Sequence, residues 1–589
     1  MNDTAPGQPF YVTTPIYYVN DRPHIGHCYT TIVADAVARF QRMAGRDVFF
    51  LTGTDEHGQK VEKSAQARGV SAQALADENA EHFRAALRYV GSSNDDFIRT
   101  TDPRHEKQVV AALSKLIESG DIYLGEFEGW YDEGQEEYVP ENTARERGYK
   151  AFNGSPLVRA KEENYYFRLS KYQSWLKELI EQSPSFICPE ARRNEVLGRL
   201  NAPEGLQDVP VSRTNFSWGI PLPVPPAKDG SKHVTYVWID ALLNYASAVG
   251  VIDGAALPAD QRGRKKYWPA TVHLIGKEIL WFHAVIWPAM LAALGTSIDK
   301  RFRLDPTNPS SWGNDRETWS HVLPGRVYAH SFWIRDGKKM SKTLGNFIDL
   351  GTIEAYVNAY GLDAWRWFML TQGPLEATDA DFSHAKFVEV YNADLANGIG
   401  NAFSRVSNMI EKYCEGKCPP LPADSVPVPA SPGAKVGLSI SNWQEEAEAA
   451  RSSASSAVGF SAFGEMFSLG LGLSNHVDRY VNATEPFKLA KDPTRSAEVG
   501  KVLYQSAEAL RIAAILLSPA MPTKMAEILR RMNQETPDEK GRFSRPLAEL
   551  CAWGGLKPGT PIVKGEGLFA RIDPAAPAPV AAGSGASGG

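Results

Sequence analysis

The sequence predicts an α/β protein: a doubly wound parallel sheet divided in two by an insertion and followed by an all-α bundle. Three observations carry this. Short β-branched and aromatic runs alternate with segments whose apolar residues recur at helical spacing; a Pro- and Gly-rich stretch, WGIPLPVPPAKDG, separates two such regions; and from Glu389 to about Glu549 helical periodicity continues with no strand signal.

Residues 10–14 read as the first strand and 17–23 as a loop of turn formers and aromatics, with Pro23 where a helix can begin. Ile25, Tyr29, Ile32, Val33, Ala36, Val37, Phe40 and Met43 then form one apolar helical face, which Gly45 closes. The run DVFFL at 47–51 suits a buried parallel strand and ends in the polar loop TGTDEHG at 52–58. Further strand-to-helix junctions are expected where 234–239 leads into 240–245, and where 271–275 leads into Gly276, Lys277 and a long apolar helix. The expected divisions are 1–118 and 233–325 for the two halves of the sheet, 119–232 for the insertion, 326–388 for a region with a lysine-rich loop, 389–572 for the helical part, and 573–589 for an Ala/Gly/Ser tail without order. Residues 419–432 read as a Pro-rich linker inside the helical part.

A chain of 589 residues, 43% hydrophobic and 22% charged, exceeds one domain and can bury large cores, which excludes bulk disorder. No apolar run approaches the roughly 18 residues of a membrane span, and the first residues do not read as a secretory leader, so a cytoplasmic protein is expected. The net charge of -6 argues against a basic nucleic-acid coat and permits a local positive patch. Cys28, Cys188, Cys414, Cys418 and Cys551 include no C-x-x-C pair, so scattered thiols are expected rather than a disulfide scaffold or a structural zinc site.

His24, Ile25, Gly26 and His27 fall at the start of the first helix, directly after the first strand. There the free N–H groups and the positive dipole end attract phosphate, Gly26 permits close approach, and two imidazoles can donate hydrogen bonds. Far downstream, the segment GKKMSKT at 337–343 places Lys338, Lys339 and Lys342 in a polar loop, where lysines can clamp nucleotide phosphates and neutralise a leaving pyrophosphate. Alone, each pattern is commonly a helix cap or a solvated basic turn.

Together, in this order and on opposite sides of a split sheet, the HIGH and KMSK(S/T) segments resemble the signature of class I aminoacyl-tRNA synthetases. The stretches FYVTTPIYYVNDRPHIGHCYTT, FLTGTDEHGQKV, HVTYVWIDALLNY, HLIGKEILWFHAVIWPAML and GKKMSKTLGN are similar to methionyl-tRNA synthetases, and the resemblance spans about 9 to 572. It implies a split Rossmann-type catalytic domain with a connective insertion and an anticodon-binding bundle, ATP with Mg²⁺, L-methionine and tRNA(Met) as partners, and a two-step reaction through methionyl-adenylate. It also implies that His24 and His27 bind ATP phosphates, that Lys339 and Lys342 stabilise adenylate formation, and that methionine is held by Ile16, Tyr18, Asp55, Trp238, Ala241, Tyr245, Ile279, His283 and Trp287. On physical grounds Asp55 can accept the α-ammonium, while Tyr18, Trp238 and Trp287 can wall a slot for a thioether. Gly276 and Glu278 are suited to the adenine or ribose. Asn401 and Arg405, four apart on one helix, match the family's anticodon-reading pair, with Phe487 where a stacking tryptophan is common.

The pattern departs from many family members in the insertion, where no cysteine replaces the expected zinc knuckle. Asp132 and Gln135 stand near the first pair, so packing by Trp130, Tyr131, Tyr138, Tyr149 and Phe152 is expected, and acidic residues such as Glu133 and Glu136 read as a solvated loop. The chain stops without the dimerisation domain some relatives append, which favours a monomer. Residues 304–318 form a longer segment than compact relatives carry. The rival readings are a synthetase for another apolar amino acid, which the short insertion disfavours because such enzymes need a large editing domain; an inactive tRNA-binding paralogue, which retention of both histidines and both lysines disfavours; and a nucleotidyltransferase, which the helical half disfavours.

Overall fold

The computed structural model describes residues 7–19, 22–132, 137–139, 141–151, 154–309, 312, 316–340, 346–421 and 460–580. Its central sheet is built from β1 (Pro9–Tyr18), β2 (Asp47–Asp55), β3 (Asp96–Arg99), β4 (Ile187–Cys188), β5 (Val272–Gly276) and β6 (Val327–His330). The order is β3-β2-β1-β5-β6-β4 and every neighbouring pair is parallel. β1 and β5, from opposite sides of the insertion, pair at the centre through Val12 with Val272 and Thr13 with His273. At that reversal of strand order a crevice opens beyond the carboxyl ends.

Successive side chains on a strand face opposite layers. Phe10, Val12, Val48, Phe50 and Leu274 therefore join one core, and Tyr11, Phe49, Leu51 and Ile275 the other. The first helix, Ile25–Met43, lies in the former and is buried nearly all round, including Asp35, Arg39, Gln41 and Arg42. Its expected polar side does not face water, because residues of the helices Ser496–Leu517 and Pro522–Arg531 share the same core.

β1 runs past the expected 10–14 to Tyr18, with a register shift between Thr13 and Ile16. Pro15 removes one ladder donor, and the strand resumes as Ile16 pairs with Gly53, Tyr17 with Thr54 and Tyr18 with Asp55. A second difference concerns 234–239. Only Val234–Thr235 is extended, antiparallel to Ser212–Arg213 and outside the central sheet, while Val237–Leu242 is helical. A short apolar run buried at every position but Trp238 has no period to tell strand from helix.

The insertion carries an antiparallel sheet in which Ile122–Asp132 pairs with Val158–Phe167 and Glu137–Val139. Its tip packs Val139, Ala144, Ala151 and Leu157 under Trp130, whose Nε1 donates to Glu141 at 2.7 Å while the Tyr149 ring lies 4.7 Å away. Gln135, Glu133 and Glu136 and the side chains of Tyr138 and Phe152 lie outside the described residues. The later part of the insertion belongs to the catalytic body: Trp175, Leu176, Leu179 and Ile180 share a core with Tyr11, and β4 completes the sheet.

In the helical part, Gly400–Tyr413, Phe460–Thr484 and Ser496–Leu517 pack around one core continuous with the first helix. Most of the expected linker at 419–432 lies outside the described residues. Residues 573–580 of the expected tail are described, and the carbonyl of Ala576 meets His384 Nε2 at 3.1 Å.

Candidate active site

The site is assembled at the carboxyl ends of β1, β2 and β5. His24 caps the first helix: its Nδ1 accepts from the Gly26 N–H at 3.1 Å, and the His24 N–H donates to His27 Nδ1 at 3.3 Å. Both Nδ1 atoms are therefore acceptors, so in the neutral rings Nε2 carries the proton and is the donor that can meet a phosphate. The rings lie 3.8 Å apart. Burial, and then His24 beside it, hold His27 well below the usual histidine range, so it is neutral at pH 7. A Cβ on Gly26 would lie 3.0 Å from His24 Cε1, so glycine lets the capping ring fold back.

The lysine-rich segment leaves the short strand Lys338–Lys339, which pairs with Trp333–Arg335. Lys339 is exposed, with its Nζ 5.5 Å over the Phe332 ring, and Lys277 Nζ lies 4.5 Å from the same ring while pairing with Asp379 at 2.5 Å. Residues 341–345, Lys342 among them, lie outside the described residues. The chain beyond them returns to the first helix: the Ile25 N–H donates to the Ile348 carbonyl at 3.1 Å, His24 bridges Asp349, and the Phe347 ring stands 5.0 Å from His24. The chain that follows the second signature segment thus packs against the helix start that carries the first.

Tyr18 and Asp55 are register partners at the ends of β1 and β2, and Ile16 lies opposite Gly53. Trp238 stacks on Phe282 at 3.9 Å, and Ala241 follows one turn later on the same helix. Tyr245 is wholly buried; its hydroxyl donates to His283 Nε2 at 2.7 Å, and His283 Nδ1 donates to the Ile279 carbonyl at 3.0 Å. That arrangement fits a neutral His283, which burial holds down to about 4. Trp287 is also buried completely, 5.9 Å behind Tyr245, and its indole N–H donates to His273. It therefore lies on the far side of Tyr245 from solvent. Gly276 ends β5, where an added Cβ would meet the Glu278 carboxylate at 2.3 Å.

Sequence reasoning missed Phe282, whose signal was its place in the WFH run beside His283, and Trp218, whose Nε1 donates to the Glu56 carbonyl at 2.6 Å. A cleft of about 840 Å³ lies elsewhere, lined by Phe186, Trp268, Thr271, Trp319, His321 and Gly325 among others, at the amino ends of the strands, and it contains none of the expected site residues. Among the described residues no group of three or more His, Cys, Asp and Glu side chains could hold a metal ion, and no helix is long and apolar enough to cross a membrane.

In the helical part, Asn401 and Arg405 converge on one carboxylate. Arg405 Nη1 pairs with Asp478, Asn401 Nδ2 approaches the same oxygen at 3.4 Å, and Arg405 Nη2 donates to Asn482 at 2.7 Å. Phe487, five residues beyond Asn482, is 42% exposed.

Residues 10–152 and 146–407 match the family model described as tRNA synthetases class I (M). The chain is 39% identical over 578 residues to the methionine–tRNA ligase of Rhizobium meliloti, covering 97% of this chain and 99% of that one. It is 41% identical over 573 residues to the methionine–tRNA ligase of Caldanaerobacter subterraneus subsp. tengcongensis, covering 96% and 79%. Among solved structures it is similar to Mycobacterium tuberculosis methionyl-tRNA synthetase in complex with methionyl-adenylate, with a TM-score of 0.77, 34% identity, and 96% of this chain and 100% of that chain covered.

Proposed function

The chain belongs to the methionine–tRNA ligases of the class I synthetase family, and from that premise we propose which residues carry its two reactions. In the first, a methionine carboxylate oxygen attacks the α-phosphorus of ATP, the bond to the bridging oxygen breaks, and pyrophosphate leaves. In the second, a hydroxyl of the terminal adenosine of tRNA(Met) attacks the acyl carbon and AMP leaves. No enzyme nucleophile is required, so catalysis rests on positioning and on stabilising charge as it develops.

His24 and His27 donate from Nε2 to phosphate oxygens at the helix start, with the Gly26 region close beneath them. Lys339 and Lys342 neutralise the departing pyrophosphate, and Mg²⁺ enters with the ATP phosphates. Asp55 accepts the methionine ammonium, and Gly276 and Glu278 meet the nucleoside. Ile16, Tyr18, Trp238, Ala241, Tyr245, Ile279 and His283 surround the side chain, with Trp287 behind them; contact between sulfur and an aromatic ring is worth about 0.3–1.5 kcal/mol. Asn401, Arg405 and Phe487 read and stack the anticodon of tRNA(Met), and the enzyme works in the cytoplasm.

The observation that supports this reading most is the hydrogen bond from Ile25 to Ile348, which joins the histidine helix to the exit of the lysine segment beside the carboxyl ends of β1 and β2. The test is charging of a tRNA(Met) transcript with labelled methionine. Charging that requires the methionine anticodon, and that fails with Lys339→Ala, is expected. Charging independent of the anticodon would remove the role given to the helical part.

A further inference from the structure

Asp240 sits on the helix Val237–Leu242 between Trp238 and Ala241, and its carboxylate is fully buried. One oxygen accepts from His57 Nδ1 at 2.6 Å and the other from His105 Nε2 at 2.6 Å. His105, also fully buried, reaches Ser247 Oγ through Nδ1 at 2.7 Å. A single carboxylate therefore ties the loop after β2, the helix Pro103–Glu118 and the helical segment that carries Trp238, Ala241 and Tyr245. Gln108 repeats the tie by donating to the Ser247 carbonyl at 2.7 Å. The next residue back in the loop, Glu56, is anchored separately by Arg99, Thr54 and Thr101.

We propose that His57, Asp240 and His105 are positioning residues for methionine activation, which hold the Asp55 segment at a fixed distance from the Trp238–Ala241 segment. The proposal rests on the reading of Asp55, Trp238 and Ala241 as methionine residues. These segments come from opposite sides of the insertion, so no local turn fixes their spacing. Apolar packing fixes distance loosely and tolerates sliding, whereas a buried carboxylate is stable only while its donors stay in place. The strength of the tie also depends on charge. Burial alone would disfavour the charged forms, yet His57 and His105 hold Asp240 below the usual carboxylate range, and Asp240 holds His57 above the usual histidine range. The groups facing His57 are Asp240, then Glu106 from the helix Pro103–Glu118, Glu56 in its own loop, and the edge of Trp218 at 5.3 Å, while His105 holds the other oxygen of Asp240. A raised histidine is cationic below its shifted pKa, so the tie is tightest there and loosens as pH rises through it.

The experiment is methionine-dependent ATP–pyrophosphate exchange from about pH 6 to about pH 9, with the parent, His57→Leu, His57→Asn and Asp55→Asn. Asparagine presents an amide N–H near the position of Nδ1 and does not titrate. His57→Leu is expected to raise KM for methionine about tenfold or more, with KM for ATP within about twofold, because a buried hydrogen bond to a charge is lost. His57→Asn is expected to stay within about threefold of the parent and to flatten the rise of methionine KM with pH that the parent shows. Equal rises in both KM values, no change in either despite a lower melting temperature, or an unaltered pH profile in His57→Asn would each overturn the proposal. If His57→Leu does not fold, the pH comparison of parent and His57→Asn decides. Asp55→Asn separates the two readings: an unchanged methionine KM there removes the pocket assignment and the positioning role with it, whereas a raised one beside an unaffected His57→Leu removes the positioning role alone.

Discussion

Arg366 is fully buried and joins the catalytic body to the helical bundle. Its guanidinium donates to Asp35 on the first helix at 2.7 Å, to the Val90 carbonyl at 3.1 Å, and to the carbonyls of Pro519 and Ala520 at 3.0 and 3.1 Å. Asp35 also receives Arg39 at 2.7 Å and two bonds from Ser93 at 2.6 Å. Replacing Arg366 by Met keeps much of the volume but removes one partner of a buried pair, a change that costs about 3–5 kcal/mol. Because Arg39 and Ser93 still satisfy Asp35, the lower end, about 3 kcal/mol, is expected. The assay is urea unfolding followed by circular dichroism and tryptophan fluorescence, with Asp35→Asn and the double variant closing a cycle. The two singles should be less than additive, with a coupling of about 1–3 kcal/mol. pH supplies an independent arm. Burial raises the Asp35 carboxyl, but Arg39, Arg366 and Ser93 prevail and hold it at about 2, below the ordinary 3.8. A lowered carboxyl stabilises the fold above its unfolded pKa, and that stability is lost as pH falls from 3.8 through about 2. A loss below about 1 kcal/mol for Arg366→Met, the range of an exposed pair, would refute the reasoning.

Gly26→Ala should lower the exchange rate more than it lowers the melting temperature, since its Cβ would press on the His24 ring at 3.0 Å; equal rates in parent and variant would contradict the capping geometry. Nitrogen NMR of histidine-labelled protein should find His27 neutral and protonated on Nε2 from about pH 8 to about pH 6, because its folded pKa is lowered and protonation sets in only below the usual range. Arg405→Ala should reduce kcat/KM for tRNA(Met) by about tenfold to a hundredfold, equivalent to roughly 1–3 kcal/mol, and leave methionine-dependent exchange unchanged; a parallel fall in exchange would contradict its place in tRNA recognition.

Features coded by adjacent residues are legible in the sequence alone. The cap at His24–His27, the buried strand DVFFL and the glycine after the first helix are local, and the structure carries each of them. The long apolar helix is legible only in part, because 282–286 winds as a π-helix before Trp287–Ile298 begins. Contacts between distant residues are not legible. Asp240 is visible as the D of WIDAL and His57 as the H of TDEHG, but nothing local says that they meet across 183 positions. Likewise the sequence marks Asn401 and Arg405 as neighbours on a helix, and only the fold brings Asp478 and Asn482 against them. The strand expected at 234–239 fails for a physical reason: a segment buried at every position but Trp238 shows neither the period of a strand nor that of an amphipathic helix.

The most direct test of the central claim is amino-acid-dependent ATP–pyrophosphate exchange, with methionine beside leucine, isoleucine, valine and cysteine, for the parent and Lys342→Ala. Exchange supported by methionine alone and lost in the variant is the predicted result. Exchange supported equally by another of these amino acids, or undiminished in the variant, would contradict the account.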